Sequence, residues 1–208
     1  TSAVAYTIPE GVATIGAFAF AGCAGLTAVT IPDSVKRIGP GVFEGCARLT
    51  SVNIPAGVTE ITGGVFSGCV NLTSVAIPDG VTAIYNGAFK GCAKLTSVRI
   101  PEGVTIIGEC AFSGCARLAS GRLPDSLTEL GDKAFECCSG LTSVRIPPGV
   151  TEIGYRAFGG CGKLQHAYIL NQACEIHPEA FEDSPTEIVL GPSPEEAVSA
   201  EASFGASK

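Results

Sequence analysis

Apolar side chains return along this chain with a fixed long period. Ile8-Pro9 recurs as Ile31-Pro32, Ile54-Pro55, Ile77-Pro78, Ile100-Pro101, Leu123-Pro124 and Ile146-Pro147, each 23 residues after the last. The shared unit reads I-P-x-x-V-x-x-I-G-x-x-x-F-x-G-C-x-x-L-T-S-V-x, and its positions are numbered here from 0 to 22. An eighth unit begins at Ile169 without the Pro. Such self-similarity is the signature of a stacked-repeat architecture. Leu49, Val52 and Ile54 show the spacing L-x-x-V-x-I, whose last part alternates with period two and predicts a short strand. Thr and Ser suit that strand, and the following Pro ends it because it cannot donate to a ladder. A Gly or Ser then marks a turn. Val at position 4 and Ile at position 7 point back inward. Gly at position 8 is expected to permit a bend, although Thr62 and Tyr85 replace it in two units. The segment around the Phe at position 12 is too short for a full helix, and one turn of α or 3₁₀ structure is expected there.

One unit cannot bury its own apolar side, whereas stacked units can, at roughly 4.8 Å per rung. Two internal ladders are then predicted. One is Phe20, Phe43, Phe66, Phe89, Phe112, Phe135 and Phe158; the other is Leu26, Leu49, Leu72, Leu95, Leu118, Leu141 and Leu164. This pattern resembles the BspA-like, or Treponema-type, leucine-rich repeats. The match runs through residues 8–168 and loosely through 169–190. The resemblance implies an α/β repeat fold: a curved solenoid with a parallel β-sheet on its concave face and short helical or 3₁₀ turns on the convex side. It also implies a surface or secreted protein that mediates adhesion or other protein contacts. Fold alone does not carry function, however.

The reading divides the chain into a solenoid, 1–190, with seven full repeats over 8–168 and a degenerate capping repeat over 169–190, and an acidic Ser/Ala/Pro-rich tail, 191–208. In the cap, Ile169, Ile176 and Phe181 keep the inward positions, Ser184 replaces the Cys, and the last strand holds Ile188, Val189 and Leu190. Val4 and Tyr6 offer an incomplete first strand. Phe204 is the residue by which the tail would pack on the solenoid or on a partner.

Ten cysteines invite a disulfide framework. Seven of them, Cys23, Cys46, Cys69, Cys92, Cys115, Cys138 and Cys161, occupy position 15 of successive units, where Cys serves as a small buried side chain. Stacked Cβ atoms point in parallel and stay too far apart to bridge, so a ladder of free thiols is expected. A column on separate rungs does not converge on a metal either, and no metal or cofactor is expected. Cys110, Cys137 and Cys174 fall outside the pattern, and their state, free or paired, is open.

Charge changes the picture only locally. The net charge is −7, from 20 acidic and 13 basic residues. Residues 171–208 hold eight of the acids and one Lys, which leaves 12 of each sign in residues 1–170. A neutral body argues against a nucleic-acid partner. No apolar run approaches ~18 residues, so no direct membrane span is expected. The chain contains no Met, which is read as a sign of processing; the compartment is then cell surface or secreted by resemblance, with import into an organelle as the alternative.

The outward position 22 reads Thr30, Asn53, Ala76, Arg99, Arg122, Arg145 and Tyr168. Three arginines on consecutive rungs repel unless something neutralises them. Either the stripe accepts an acidic peptide, a phosphate or a sulfated sugar, with His166 and Tyr168 extending the patch, or it pairs with the acids at position 2, which are Glu10, Asp33, Asp79, Glu102 and Asp125. Arg145 stands out, because its own unit boundary offers Pro148 in place of an acid. The acidic C-terminal segment is a third possible neutraliser. A second basic column, Arg48, Lys94, Arg117 and Lys163 at position 17, reads as a solvated edge. Asn71-Leu72-Thr73 is a glycosylation sequon that the repeat produces incidentally. His166 and His177 have no triad partners in sequence, no unit carries an inserted loop, and no enzyme is expected. A protein-binding scaffold or adhesin-like module therefore leads. The alternative is a structural accessory subunit on a larger, organellar membrane assembly. The partner would be another protein, met through the concave face or the tail.

Overall fold

The computed structural model describes residues 4–119 and 122–192; Phe204 and the rest of the predicted tail beyond Pro192 lie outside them. The fold is a stack of coils, one per repeat unit, held by parallel strands. On one face run β1 (Val4–Thr7), β3 (Leu26–Thr30), β5 (Ser51–Asn53) and β7 (Ser74–Ala76) as a four-stranded sheet. Further along are β11 (Ser143–Ile146), β13 (His166–Ile169) and β15 (Glu187–Leu190). The register equals the repeat, with Val52 opposite Val75 and Val144 opposite Ala167. Between β7 and β11 the ladder loosens. No strand forms at 97–99, and Thr96 N–H and Ala119 N–H each reach back one coil, to Thr73 and Thr96 carbonyls at 3.4 and 3.2 Å. The sequence there carries Gly121 where the other units have an inward Val or Ala.

A second line of two-residue strands follows the position-7 Ile: β2 (Thr14–Ile15), β4 (Arg37–Ile38), β6 (Glu60–Ile61), β8 (Ala83–Ile84), β9 (Ile106–Ile107), β10 (Glu129–Leu130), β12 (Glu152–Ile153) and β14 (Glu175–Ile176). The expected inward residues are buried throughout, from Val35 and Ile38 to Val150 and Ile153.

The convex side corrects one expectation. Among the described residues there is no helix of any kind, α or 3₁₀; the segment around each Phe is a run of turns. The hydrogen bonds give the reason. Val65, Ser67 and Cys69 N–H groups bond three residues back, to Thr62, Gly64 and Phe66 carbonyls. The alternate groups, Gly64, Phe66 and Gly68, donate instead to the next coil, to Asn86, Ala88 and Lys90 carbonyls at 3.0, 2.8 and 2.7 Å. A helix would need every N–H to bond within its own turn. Positions 10 and 14 also hold positive φ, as at Gly64 (62°) and Gly68 (71°), which a helix excludes and a turn with a left-handed third residue requires. The repeat is therefore a β-solenoid rather than an α/β unit.

The position-8 Gly has a steric role. Its φ is not positive; what it supplies is space. A Cβ on Gly131 would lie 2.5 Å from Glu109 N and 2.6 Å from Gly108 C in the preceding coil.

Inside, the Phe ladder is a continuous stack. Rings from Phe20 to Phe158 sit 5.1–5.6 Å apart, centroid to centroid, and within 18° of parallel. Tyr6 extends it at one end and Phe181 at the other. Beside it runs the cysteine ladder, and all ten cysteines are free. Each buried thiol donates to the carbonyl of the Phe in the preceding coil: Cys69 to Phe43, Cys92 to Phe66 and Cys138 to Phe112, at 3.1, 3.2 and 3.2 Å. The position thus needs a small side chain that fills apolar space and carries one donor. Ser184, which replaces Cys in the last coil, makes the same bond to Phe158 at 2.7 Å. Burial pushes the Cys46 thiol up to about 11, and Cys69, Cys115 and Cys161 to about 12. Thiolate is the reactive form. Native protein treated with a maleimide at neutral pH should therefore be modified readily at exposed Cys23 and Cys137, and at Cys69, Cys92, Cys115, Cys138 and Cys161 only after unfolding. Peptide mapping by mass spectrometry checks this, and native labelling of the inner cysteines at the rate of Cys137 would contradict it.

Candidate functional site

Of the predicted patch, Arg145, His166 and Tyr168 stand on β11 and β13, while Arg99 and Arg122 lie in coils between the two sheets where no strand forms. In a parallel ladder in register, the same repeat position returns directly above itself, so Arg145 lies beside Tyr168 and Ser143 beside His166. His166 and Tyr168, two residues apart on β13, point to one side and stack at 5.9 Å. His166 Nε2 also lies 3.6 Å from the Glu187 carboxylate on β15. Arg99 and Arg122 are exposed, and Arg145 is half-buried. Toward β1 the same face is small and polar, with Ser51, Asn53, Ser74 and Ala76 outward.

Arginine and acid columns do pair, but one coil back from the boundary considered in the sequence. Arg99 bonds Asp79 at 2.5 Å and Arg145 bonds Asp125 at 2.7 Å, each 20 residues earlier. This corrects the concern over Pro148: the coil before it supplies the acid for Arg145. The Arg99–Asp79 pair is open to water, with side chains 71% and 79% exposed, so it holds its partners loosely.

A different charged group was not singled out from the sequence. Arg156, at a position-10 site with φ 48°, bonds Glu136 Oε1 at 3.0 Å, the Glu182 carboxylate, and Asp183 at 3.5 Å. It ties three successive coils together at the C-terminal end. The signal available was the departure from the Gly at that position in three earlier units, Gly41, Gly64 and Gly87. Cys110, at position 10, and Cys137, at position 14 where the other full units have Gly, likewise hold left-handed conformations, with φ 55° and 58°, and they do not pair. In the second basic column, Lys94 bonds Asn71 Oδ1 at 2.6 Å. The sequon amide is itself engaged, since Asn71 Nδ2 donates to the Ala47 carbonyl at 2.6 Å. Among the described residues no group of His, Cys, Asp and Glu has the arrangement of a metal site, and no helix is long and apolar enough to cross a membrane.

The family profile of the BspA type leucine rich repeat region matches in six copies, over residues 1–115 and 59–188. The chain belongs to the BspA-type leucine-rich-repeat family. Solved leucine-rich repeat structures share its fold. A leucine-rich repeat protein from Bacteroides ovatus superposes with a TM-score of 0.72 at 28% identity, covering 90% of this chain and 63% of that one. A Treponema pallidum leucine rich repeat protein gives 0.60 at 27% identity, covering 83% and 78%. A leucine rich cell surface protein from Faecalibacterium prausnitzii gives 0.52 at 28% identity, covering 94% and 75%. The chain thus spans less than two thirds of the Bacteroides protein. No curated protein matches the sequence.

Proposed function

We propose that this BspA-type solenoid is a non-catalytic protein-binding module of adhesin-like kind, acting at a cell surface, with the concave patch of Arg99, Arg122, Arg145, His166 and Tyr168 as its contact face. The observation that carries the reading is the placement of these five side chains. They hold repeat positions 20 and 22 of four adjoining coils, and Arg99 is held by an exposed ion pair, with Asp79, that an incoming carboxylate can exchange. Interfaces favour arginine and tyrosine at their centres for this combination of reach, planarity and apolar area. The description of the Faecalibacterium protein as a cell surface protein supports the location. We also read residues 1–190 as one solenoid, with 169–190 as its degenerate closing repeat. The Phe181 stack and the Arg156 network tying Glu182 and Asp183 to Glu136 support that division.

The test is capture of partners from a surface-protein extract or host-cell lysate, comparing the parent chain with the variant carrying Arg99→Ala, Arg122→Ala and Arg145→Ala. Loss of the major captured species is expected. Capture that is unchanged in the variant removes this face.

A further inference from the structure

The coil that carries Arg122 differs from its neighbours in how its cations are matched. Arg99 and Arg145, one coil to either side, each bond the aspartate 20 residues earlier. By the same offset Arg122 would take Glu102. The Glu102 carboxylate is turned onward instead, where it accepts the backbone N–H of Asp125 at 3.1 Å. Arg122 is exposed, and among the described residues it has no ion-pair partner. Arg117, exposed in the turn at residues 116–117 of the same coil, has none either among the described residues. In the coil before, the corresponding Lys94 is engaged by Asn71.

We infer that this coil is the seat for an extended acidic segment of the partner protein, with one carboxylate at Arg122 and a second at Arg117. The inference rests on the concave-face reading above and names the chemistry of its partner. Residues 117 and 122 are five apart, so an extended chain separates them by at most about 17 Å. Carboxylates at i and i+4 of a bound strand share a face and lie about 13 Å apart, a difference that two arginine side chains span easily. Ser97 and Ser143, exposed on the flanking coils at the outward position, offer hydroxyls to the backbone of such a strand. The pattern also discriminates. The flanking coils hold matched Arg99–Asp79 and Arg145–Asp125 pairs, so the seat offers two separate cations rather than the continuous basic track that suits a uniformly anionic polymer such as a sulfated glycan. A peptide with two discrete carboxylates fits two separate cations.

The experiment is a fluorescence-anisotropy titration of the full chain with a short Ser/Thr peptide carrying two glutamates four residues apart. Its glutamine counterpart and a sulfated oligosaccharide serve as comparisons. The glutamate peptide should bind and weaken as salt is raised. Replacing its glutamates by glutamine should weaken it about tenfold, as should Arg122→Gln, with Arg117→Gln about fivefold. Arg122→Lys should fall between, since it keeps the charge and loses the fork, and Arg37→Gln, on β4 away from this face, should change nothing. Equal affinity for the glutamine peptide, indifference to Arg122→Gln, or tighter binding of the sulfated oligosaccharide overturns the acidic-segment assignment. If the triple-alanine variant still loses its captured partner in that case, the concave-face reading stands alone. If capture survives the triple change, that reading falls and takes this one with it.

Discussion

Phe112→Ala should lower the unfolding free energy by about 3–5 kcal/mol, the range for truncating a buried phenylalanine. Phe112 is fully buried, and its ring lies 5.1 Å from both Phe89 and Phe135. The coils cannot close over the gap, because their spacing is set by the backbone. Phe89 N–H and Phe112 N–H bond the next coil, to Ala111 and Ala134 carbonyls, each at 2.8 and 2.7 Å. The site is also central, so its loss weakens both nearest-neighbour interfaces of one coil in a structure whose stability is a sum of such interfaces. Urea titration followed by circular dichroism should show a lower midpoint and a broader transition, as the two halves uncouple. A loss below about 1 kcal/mol would mean that the stack repacks and that the rings are not held by the coil spacing.

Gly131→Ala should cost about 2–3 kcal/mol, although it adds one methyl group to a residue of ordinary φ. The methyl would meet Glu109 N at 2.5 Å and Gly108 C at 2.6 Å, and backbone in a bonded ladder cannot swing aside as a side chain can. Gly16 occupies the same repeat position in the first unit, and a Cβ there meets nothing within 4 Å. Gly16→Ala should therefore be neutral or slightly stabilising, as expected when only the unfolded chain is restricted. Thermal unfolding of the two variants side by side separates the explanations. Equal destabilisation would point to a conformational role for Gly at this position, and the close-approach account would be wrong.

The concave candidates show where sequence reasoning stopped. Their column was legible, because a strict period with no insertion places each repeat position above the last. Which acid each arginine takes was not legible. Glu102, three residues on, is far nearer to Arg99 in sequence than Asp79, twenty residues back, yet Asp79 is the partner, because the choice depends on how the chain turns after each Pro. The diversion of Glu102 to the Asp125 N–H has no sequence signature at all. Arg156 was missed for a related reason: a single basic residue in a variable position looks solvated until the next coil brings Glu182 and Asp183 beside it.

The convex side is the instructive failure. A short stretch around a recurring Phe reads as one helical turn when each unit is considered by itself, since hydrogen bonds within the unit are then the only ones available. Stacking offers every second N–H a carbonyl on the next coil, and the left-handed residues at positions 10 and 14 place those groups to use it.

The sequence by itself determined the period, the inward and outward sides of each coil, the Phe, Leu and Cys ladders, and the family. These follow from which side chains must leave water and how often they recur, a property of the chain's own order. The tertiary structure decided how each turn is bonded, why position 8 is crowded at Gly131 and open at Gly16, where each thiol donates, and which arginines are matched. Each of these depends on the distance between atoms of different coils, to a few tenths of an ångström. No single repeat contains that information, because the partner in every case belongs to the coil before or after it.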